Sequence, residues 1–291
     1  MVNSVQDIAN FNTIGELKLL AVKILSDCGT ENAAIDVNAA LKHIIGCDEI
    51  YILTHKNDRL DDEKFAKFKD FLEKRKEHIP LAYILGEKEF MSLKFLVNPS
   101  TLIPRPDTEA VAEYVISAVE CGDKVLDLCT GSGAIGISCA KYTKAGRILC
   151  VDKFEKTLET ARKNADLNGV SDVCKFLKAD VLKDIAGIGE KFDIVVSNPP
   201  YIETKKIETL DKTVKDFEPL SALDGGFDGL IFYRKIVEDI DFVLKKGKKL
   251  VFEIGYDQAE AVKKIMDKKF ENICVKKDFG GNDRVICGTL R

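Results

Sequence analysis

Hydrophobic and polar positions divide the chain into a helical N-terminal part and a longer part in which strands alternate with helices. Over residues 13–27, Leu17, Leu19, Leu20, Val22, Ile24 and Leu25 recur among charged positions, and the pattern continues over 31–45. Within 61–78, Phe65, Phe68, Phe71 and Leu72 fall at i, i+3, i+6 and i+7, with lysines between them. That is the period of an amphipathic helix. Pro80, Gly86, Pro99 and Pro104 then punctuate short apolar runs such as Phe95-Leu96-Val97, which predicts a hairpin-like linker. Beyond Asp107, strands are predicted at 124–128, 147–151, 173–177, 192–197 and 249–253. Helices are predicted at 133–142, 156–167, 229–244 and 258–268. Two last runs, 273–277 and 284–289, flank the turn residues Gly280-Gly281-Asn282-Asp283 and suit an antiparallel edge hairpin. The expected fold class is α/β: a Rossmann-like, mostly parallel sheet with helices on both faces, plus a small N-terminal helical bundle. The expected domains are a helical, partner-binding domain over 1–79, a hairpin linker over 80–105 and an α/β domain over 106–291.

Composition narrows the function classes. The 291 residues are 45% hydrophobic, enough for a sizeable core or two. The net charge of −4 leaves no broad basic footprint, so direct nucleic-acid binding is not expected. No run approaches the ~20 apolar residues of a membrane span. Residues 1–7 lack the basic-then-apolar pattern of a secretory signal, so a cytoplasmic protein is expected. The nine cysteines form no Cys-x-x-Cys pair and read as free thiols. With three histidines and no ligand spacing, no metal is expected.

The chemistry concentrates at the ends of predicted strands. Val125 to Gly136 reads as a strand, a glycine turn and a helix start. Gly131 permits a tight turn and Gly133 a close approach of ligand to backbone. In an open parallel sheet such a loop is a nucleoside-cofactor site. Gly131-x-Gly133-x-x-Gly136 also fits the dinucleotide fingerprint, so a nicotinamide dehydrogenase is one reading. Asp152, 19 residues after Gly133, can accept from both ribose hydroxyls of either cofactor. Asp180 can meet an adenine amino group with Val181 packed on the ring, or can cap a helix. Asp127, a carboxylate inside an apolar strand, needs a partner in the loop amides or in a cofactor ammonium.

The sharpest signal is Asn198-Pro199-Pro200-Tyr201 at the end of the buried run 192–197. Asn198 precedes proline and is pushed to extended backbone. The two prolines stiffen the loop and remove two donors. What remains is a set of acceptors, led by the Asn198 side-chain oxygen, with the flat face of Tyr201. Acceptors aimed at one point suit a planar NH2 group and can turn its nitrogen lone pair towards a methyl sulfonium. Positioning alone contributes up to roughly 7–11 kcal/mol in ideal cases. A dehydrogenase has no need of this motif. An amide, adenine or guanine methyltransferase does, and a cofactor-binding module without turnover is the non-enzymatic alternative.

Further segments carry a resemblance. They are Pro80-Leu81-Ala82-Tyr83-Ile84-Leu85-Gly86 with Glu89-Phe90, and Leu102-Ile103-Pro104-Arg105-Pro106-Asp107-Thr108-Glu109. To these add Glu218-Pro219, Ala222-Leu223-Asp224-Gly225-Gly226, Asp228-Gly229-Leu230 and Phe279-Gly280-Gly281-Asn282-Asp283-Arg284-Val285. From about residue 75 onward the chain resembles the protein-(glutamine-N5) methyltransferases of bacterial peptide chain release factors, the PrmC/HemK family. The resemblance implies a class I methyltransferase domain, S-adenosylmethionine as cofactor, and the glutamine of a Gly-Gly-Gln motif in class I release factors as substrate. By position it implies that Thr130, Gly131, Ser132, Gly133, Asp152, Val181 and Asn198 contact the cofactor; Asp127, Cys129 and Asp180, beside them in the same loops, complete the expected cofactor site. Asn198, Pro199, Pro200 and Tyr201 would hold the glutamine amide, with Phe90, Pro104 and Arg105 near the same cleft. Arg105 can instead pair with Asp107 or Glu109. Cys129 stands where many relatives carry Gly.

Overall fold

The computed structural model describes residues 13–291; the N-terminal segment read above lies outside them. The chain forms two compact units, one reaching to Gly86 and including Lys212–Phe217, the other comprising Glu87–Asp211 and Glu218–Arg291.

The first unit is helical. α1 (Ile14–Asp27) opens on a capping box, in which the Thr13 hydroxyl accepts from the Glu16 amide at 3.3 Å and the Glu16 carboxylate accepts from the Thr13 amide at 3.2 Å. α2 (Ala33–Ile45) stops at Gly46, whose φ of 76° is the left-handed cap that glycine supplies. α3 (Glu49–Thr54), α4 (Asp62–Lys76) and α5 (Leu81–Leu85) follow. α3 and α5 are too short to show a helical period, and α5 falls inside the segment expected to be hairpin. Leu17, Leu25, Leu41, Phe68, Phe71 and Leu72 form a common core. Asp36 and Arg75 pair at 2.7 Å with both side chains largely buried, tying α2 to α4.

The second unit opens with the antiparallel hairpin β1 (Glu87–Phe90) and β2 (Leu93–Leu96). There follow α6 (Pro106–Ala118), β3 (Lys124–Leu128), α7 (Ala134–Tyr142), β4 (Arg147–Asp152), α8 (Glu155–Leu167), β5 (Cys174–Lys178) and β6 (Phe192–Ser197). After α9 (Lys212–Lys215), whose segment belongs to the first unit, come α10 (Ile231–Val243), β7 (Leu244–Glu253), α11 (Ala259–Met266), β8 (Phe270–Lys277) and β9 (Asp283–Leu290). α6 was not expected, although Pro106 at its start and Asp107 and Glu109 in its first turn are helix-opening residues. β7 begins earlier than expected because Leu244 pairs with Phe192 ahead of a register shift.

The seven strands lie in the order β5-β4-β3-β6-β7-β9-β8. β5 through β7 are parallel, and β9 and β8 are antiparallel at one edge, as the sequence pattern predicts. Alternate residues serve opposite faces. Leu126, Leu149, Val151, Val195 and Phe252 pack with α10 and α11, while Val125, Ile148, Cys150, Ile194 and Val196 pack with α6 and α7. A parallel sheet covered on both faces reads in sequence as continuous apolar runs, which is how these strands were legible. Strand order reverses between β3 and β6, so the loops leaving these two strands lie side by side.

Candidate active site

At that switch point lies a cavity of about 400 Å³, within the size range of small-molecule sites. Its wall includes Cys129, Thr130, Gly131 and Ser132 after β3, Asp152 after β4, Asp180 and Val181 after β5, and Asn198 and Pro200 after β6. Arg105, Thr108 and Pro104 line it as well. Most of the expected site residues therefore meet in one place.

Five do not reach the wall. Gly133 lies beneath it with φ of 85°, and a Cβ there would stand 2.5 Å from Ile137 Cδ1. Pro199 is buried behind Asn198. Asp127 is buried in β3, where its Oδ2 accepts from the Thr130 hydroxyl at 2.6 Å and the Gly136 amide at 3.1 Å. It thus ties the loop to the helix start. Tyr201 points its hydroxyl at the Glu253 carboxylate, 3.4 Å away. Phe90, expected near the cleft, is buried instead: its ring stands edge-on to Phe95, 5.9 Å between centroids, in the core that the hairpin shares with α6, α7 and the sheet.

The acidic groups differ by environment. Burial pushes the Asp127 carboxyl up to about 7, against the Thr130 and Gly136 hydrogen bonds, and its Oδ1 has no partner. An acid whose folded pKa stands above its unfolded value stabilises fully below the unfolded pKa and loses that contribution as pH rises through the folded one. Asp127→Asn abolishes this titration. The stability difference should therefore move in the variant's favour by up to roughly 4 kcal/mol between about pH 4 and about pH 7. Urea unfolding of both proteins across that range checks it; a difference independent of pH would reject the assignment.

Asp152 accepts one amide at each oxygen, Gly131 at Oδ2 and Phe154 at Oδ1, both 3.1 Å. Burial raises its pKa against these amide bonds. Burial also opposes ionisation of Asp180, but the Leu182 amide and Lys153 outweigh it and hold the pKa below the usual range. Burial pushes the Cys129 thiol far above its ordinary value, so it is inert as a nucleophile at neutral pH. Its φ of 59° is a backbone state that glycine adopts without strain, which explains why glycine suits this position.

The loop after β6 is braced from several sides. The Ser197 hydroxyl donates to the Leu128 carbonyl at 2.7 Å, coupling the two strand ends. The Asn198 Nδ2 donates to the Thr108 hydroxyl at 3.3 Å. Gln258 donates to the Tyr201 carbonyl at 3.0 Å, while its own oxygen accepts from the Gly255 amide at 3.0 Å. Gly225 and Gly229 press against Tyr201 so closely that a Cβ would stand 2.7 Å from Tyr201 Cα and 2.4 Å from Tyr201 O. Arg105 pairs with the buried Glu218 and with neither expected partner; Glu218 also accepts from the Ile103 amide at 3.2 Å. Asp107 pairs instead with Arg284, at 3.1 Å, and Glu109 accepts from the Met91 amide at 2.8 Å.

Thr108, Glu253 and Gln258 were missed as site residues. Glu253 carried a usable signal: like Asp127 within β3, it is a carboxylate in an otherwise apolar run. Gln258 carried none, since its role depends on a loop closing on Tyr201.

The fold and the site at its switch point define a class I S-adenosylmethionine-dependent methyltransferase with an added helical unit. Residues 16–86 match the PrmC N-terminal domain and residues 108–217 the methyltransferase small domain. Solved structures agree on the fold. A methyltransferase complexed with SAH superposes with a TM-score of 0.52 at 13% identity, over 70% of this chain and 56% of that one. A Pyrococcus furiosus methyltransferase superposes with a TM-score of 0.50 at 17% identity, over 69% and 91%. The release factor glutamine methyltransferase of Clostridium acetobutylicum is 39% identical over 94% of this chain and 97% of its own length. That of Bacillus subtilis is 35% identical over 96% and 98%, and that of Vibrio cholerae 37% over 93% and 94%. The chain belongs to the release factor glutamine methyltransferase family. The nicotinamide reading of the glycine pattern falls away, and Gly136 has a packing role: a Cβ there would lie 2.8 Å from Cys150 Sγ.

The residues present fit S-adenosylmethionine. Each Asp152 oxygen accepts a single amide and keeps lone-pair capacity for a vicinal diol. Val181 and Leu182 give an apolar wall beside the Asp180 carboxylate, as a purine with an amino group requires. At Gly131 an added Cβ would meet no heavy atom within 4 Å, so the loop leaves open space at the cavity. Among the described residues no cluster of potential metal ligands occurs, and no helix is long and apolar enough to cross a membrane.

Proposed function

We propose that this protein transfers a methyl group from S-adenosylmethionine to the side-chain amide nitrogen, N5, of the glutamine in the Gly-Gly-Gln motif of class I peptide chain release factors. The observation that carries this reading is the Asn198 side chain at the cavity wall, facing the 129–132 loop across the strand-order reversal. The Asn198 amide nitrogen is engaged by Thr108, which leaves its oxygen as an acceptor for a substrate N–H. The carbonyl of Pro200 or its neighbours would take the second N–H, and the Tyr201 ring would brace the loop. Holding both hydrogens in one plane aims the nitrogen lone pair. The cofactor, when bound, supplies an activated methyl group. Cys129, Thr130, Gly131, Ser132, Asp152, Asp180 and Val181 would hold that cofactor, while Asp127 and Gly133 would shape its loop from behind. The amide proton becomes strongly acidic as positive charge develops and passes to water.

The helical unit is proposed to dock the release factor. The exposed apolar side chains of Leu19, Ile35, Ile50 and Leu53 support this reading. Their replacement by Ser should raise KM for the intact release factor and leave it unchanged for a short glutamine peptide; a parallel rise for the peptide would refute the docking role. The setting proposed is cytoplasmic, with no nucleic-acid substrate.

Label transfer from S-adenosylmethionine to a purified class I release factor tests the whole reading. Label on the Gly-Gly-Gln glutamine, lost when that residue is replaced, is the expected result. Label appearing on RNA or DNA instead would transfer the assignment to a base amino group. Asp152→Ala should weaken cofactor binding by roughly 10- to 100-fold, the range of a hydrogen bond to a charged group. Calorimetric titration with S-adenosylmethionine checks it, and an unchanged Kd would remove Asp152 from the ribose site.

A further inference from the structure

At the antiparallel edge of the sheet, two cysteines meet outside the site described above. β8 is the outermost strand and pairs with β9. The pairing begins with Phe270 opposite Leu290 and Glu271 opposite Thr289, so an unbroken register would set Ile273 opposite Cys287. A one-residue shift between Glu271 and Cys274, with Asn272 at a φ of 52°, places Cys274 there instead. Such a bulge re-aims the side chains that follow it. The two sulfurs lie 2.8 Å apart, both as free thiols.

The pair is asymmetric. Cys274 is exposed, whereas Cys287 is 2% exposed and packs with α6. Cys287 donates its S–H to the Tyr114 hydroxyl oxygen at 3.0 Å, which leaves sulfur lone pairs for Cys274. Burial, helped by the Cys274 contact, pushes the Cys287 thiol up to about 11, against Tyr114 and the charge of Lys249. An oxidant arriving from solution therefore meets Cys274 first. Directly opposed residues of antiparallel strands have Cα atoms about 4.5–5.5 Å apart, within the range that a disulfide spans. The strands need not move for these sulfurs to bond. Cys150 and Cys174 also neighbour each other, but both are buried, and the parallel register of β4 and β5 sets Cys174 opposite Ile148.

We propose that Cys274 and Cys287 form a reversible redox pair, in which a peroxide oxidises Cys274 and Cys287 resolves the product into a cross-strand disulfide that staples β8 to β9. The Cys274 thiolate attacks one peroxide oxygen, the O–O bond breaks, and the other oxygen leaves as hydroxide and takes a proton to become water. The Cys287 sulfur then attacks the sulfenic sulfur of Cys274. The S–S bond forms, the S–O bond breaks, and hydroxide leaves with the Cys287 proton as a second water. Two thiols are oxidised and one peroxide is reduced to two waters. Small thiols reverse the bond by exchange, so in a reducing compartment it is transient. None of this depends on which substrate the cavity methylates.

The full-length protein, reduced and then freed of reductant, is treated with a small molar excess of hydrogen peroxide, and its thiols are mapped by alkylation and peptide mass spectrometry. An intramolecular Cys274–Cys287 link, reversed by dithiothreitol, is the expected product. Cys287→Ser should stop Cys274 at the sulfenic acid. Dimedone, which traps sulfenic acids, should label Cys274 at least roughly 10-fold more in that variant than in wild type, because resolution within the pair is intramolecular. Cys274→Ser should leave the Cys287 thiol intact. Closing a short loop at the sheet edge should raise the unfolding midpoint of the linked protein by roughly 5 °C. Equal dimedone labelling in wild type and Cys287→Ser would overturn the pair. Should Cys287→Ser not fold, the wild-type map decides: an oxidised Cys274 beside an unlinked Cys287 thiol rejects it. A linked protein that melts no higher than the reduced one would overturn the staple.

Discussion

Asn198→Ala lowers the rate of methyl transfer by roughly 10²- to 10³-fold, the range seen when one preorganised polar group is removed from an active site. The side chain is half-buried and lies at the cavity wall, so its truncation deletes an acceptor and very little core. Cofactor Kd and unfolding midpoint should therefore change little. Asn198→Asp is the sharper variant. It keeps the acceptor oxygen but replaces the NH2 that donates to the Thr108 hydroxyl with a second acceptor and adds a negative charge. Single-turnover transfer with saturating cofactor is the measurement. A rate within a few-fold of wild type for Asn198→Ala would dispose of amide positioning by this residue.

Arg284→Ala should cost the α/β unit roughly 3–5 kcal/mol, because it strips the partner from a buried charge. The guanidinium donates Nε to Asp278 at 3.1 Å and Nη1 to the Ile254 carbonyl at 3.2 Å, and pairs Nη2 with Asp107 at 3.1 Å. The Arg284 side chain is 9% exposed and that of Asp278 1%. One planar fork thus joins the β8–β9 turn, the end of β7 and the start of α6, which carries Thr108. Arg284→Lys should recover only part of the loss, since an ammonium cannot serve three separated acceptors with the same geometry. Equilibrium urea unfolding decides the point: a loss below about 1 kcal/mol would mean that Asp278 finds water or another donor.

The sheet was legible because a parallel sheet covered on both faces writes long apolar runs into the sequence. Lys124–Leu128 and Phe192–Ser197 were read with their observed bounds. The glycine loop and Asn198 were legible because local chemistry constrains them, through positive φ at Gly131 and Gly133 and through proline after Asn198. What escaped was set by tertiary context. Phe90 stands within a recognisable segment, yet its side chain is taken by Phe95 across the hairpin. Arg105 was weighed against acids two and four positions away and found Glu218, 113 positions on. Thr108, Glu253 and Gln258 acquire their roles only where α6, β7 and the loop after it converge on Tyr201.

The six residues Lys212–Phe217 belong to the helical unit although more than a hundred residues separate them from the rest of it. Recombination between relatives meets this arrangement directly. A chimera joined at a single crossover after Gly86 inherits the helical unit from one parent and its last short piece from the other. A matched exchange needs three crossovers, one after Gly86 and one on each side of 212–217. Libraries built with the single junction would pair the helical unit with a 212–217 segment from the other parent, and the survivors would report tolerance at that seam rather than the interchangeability of the units.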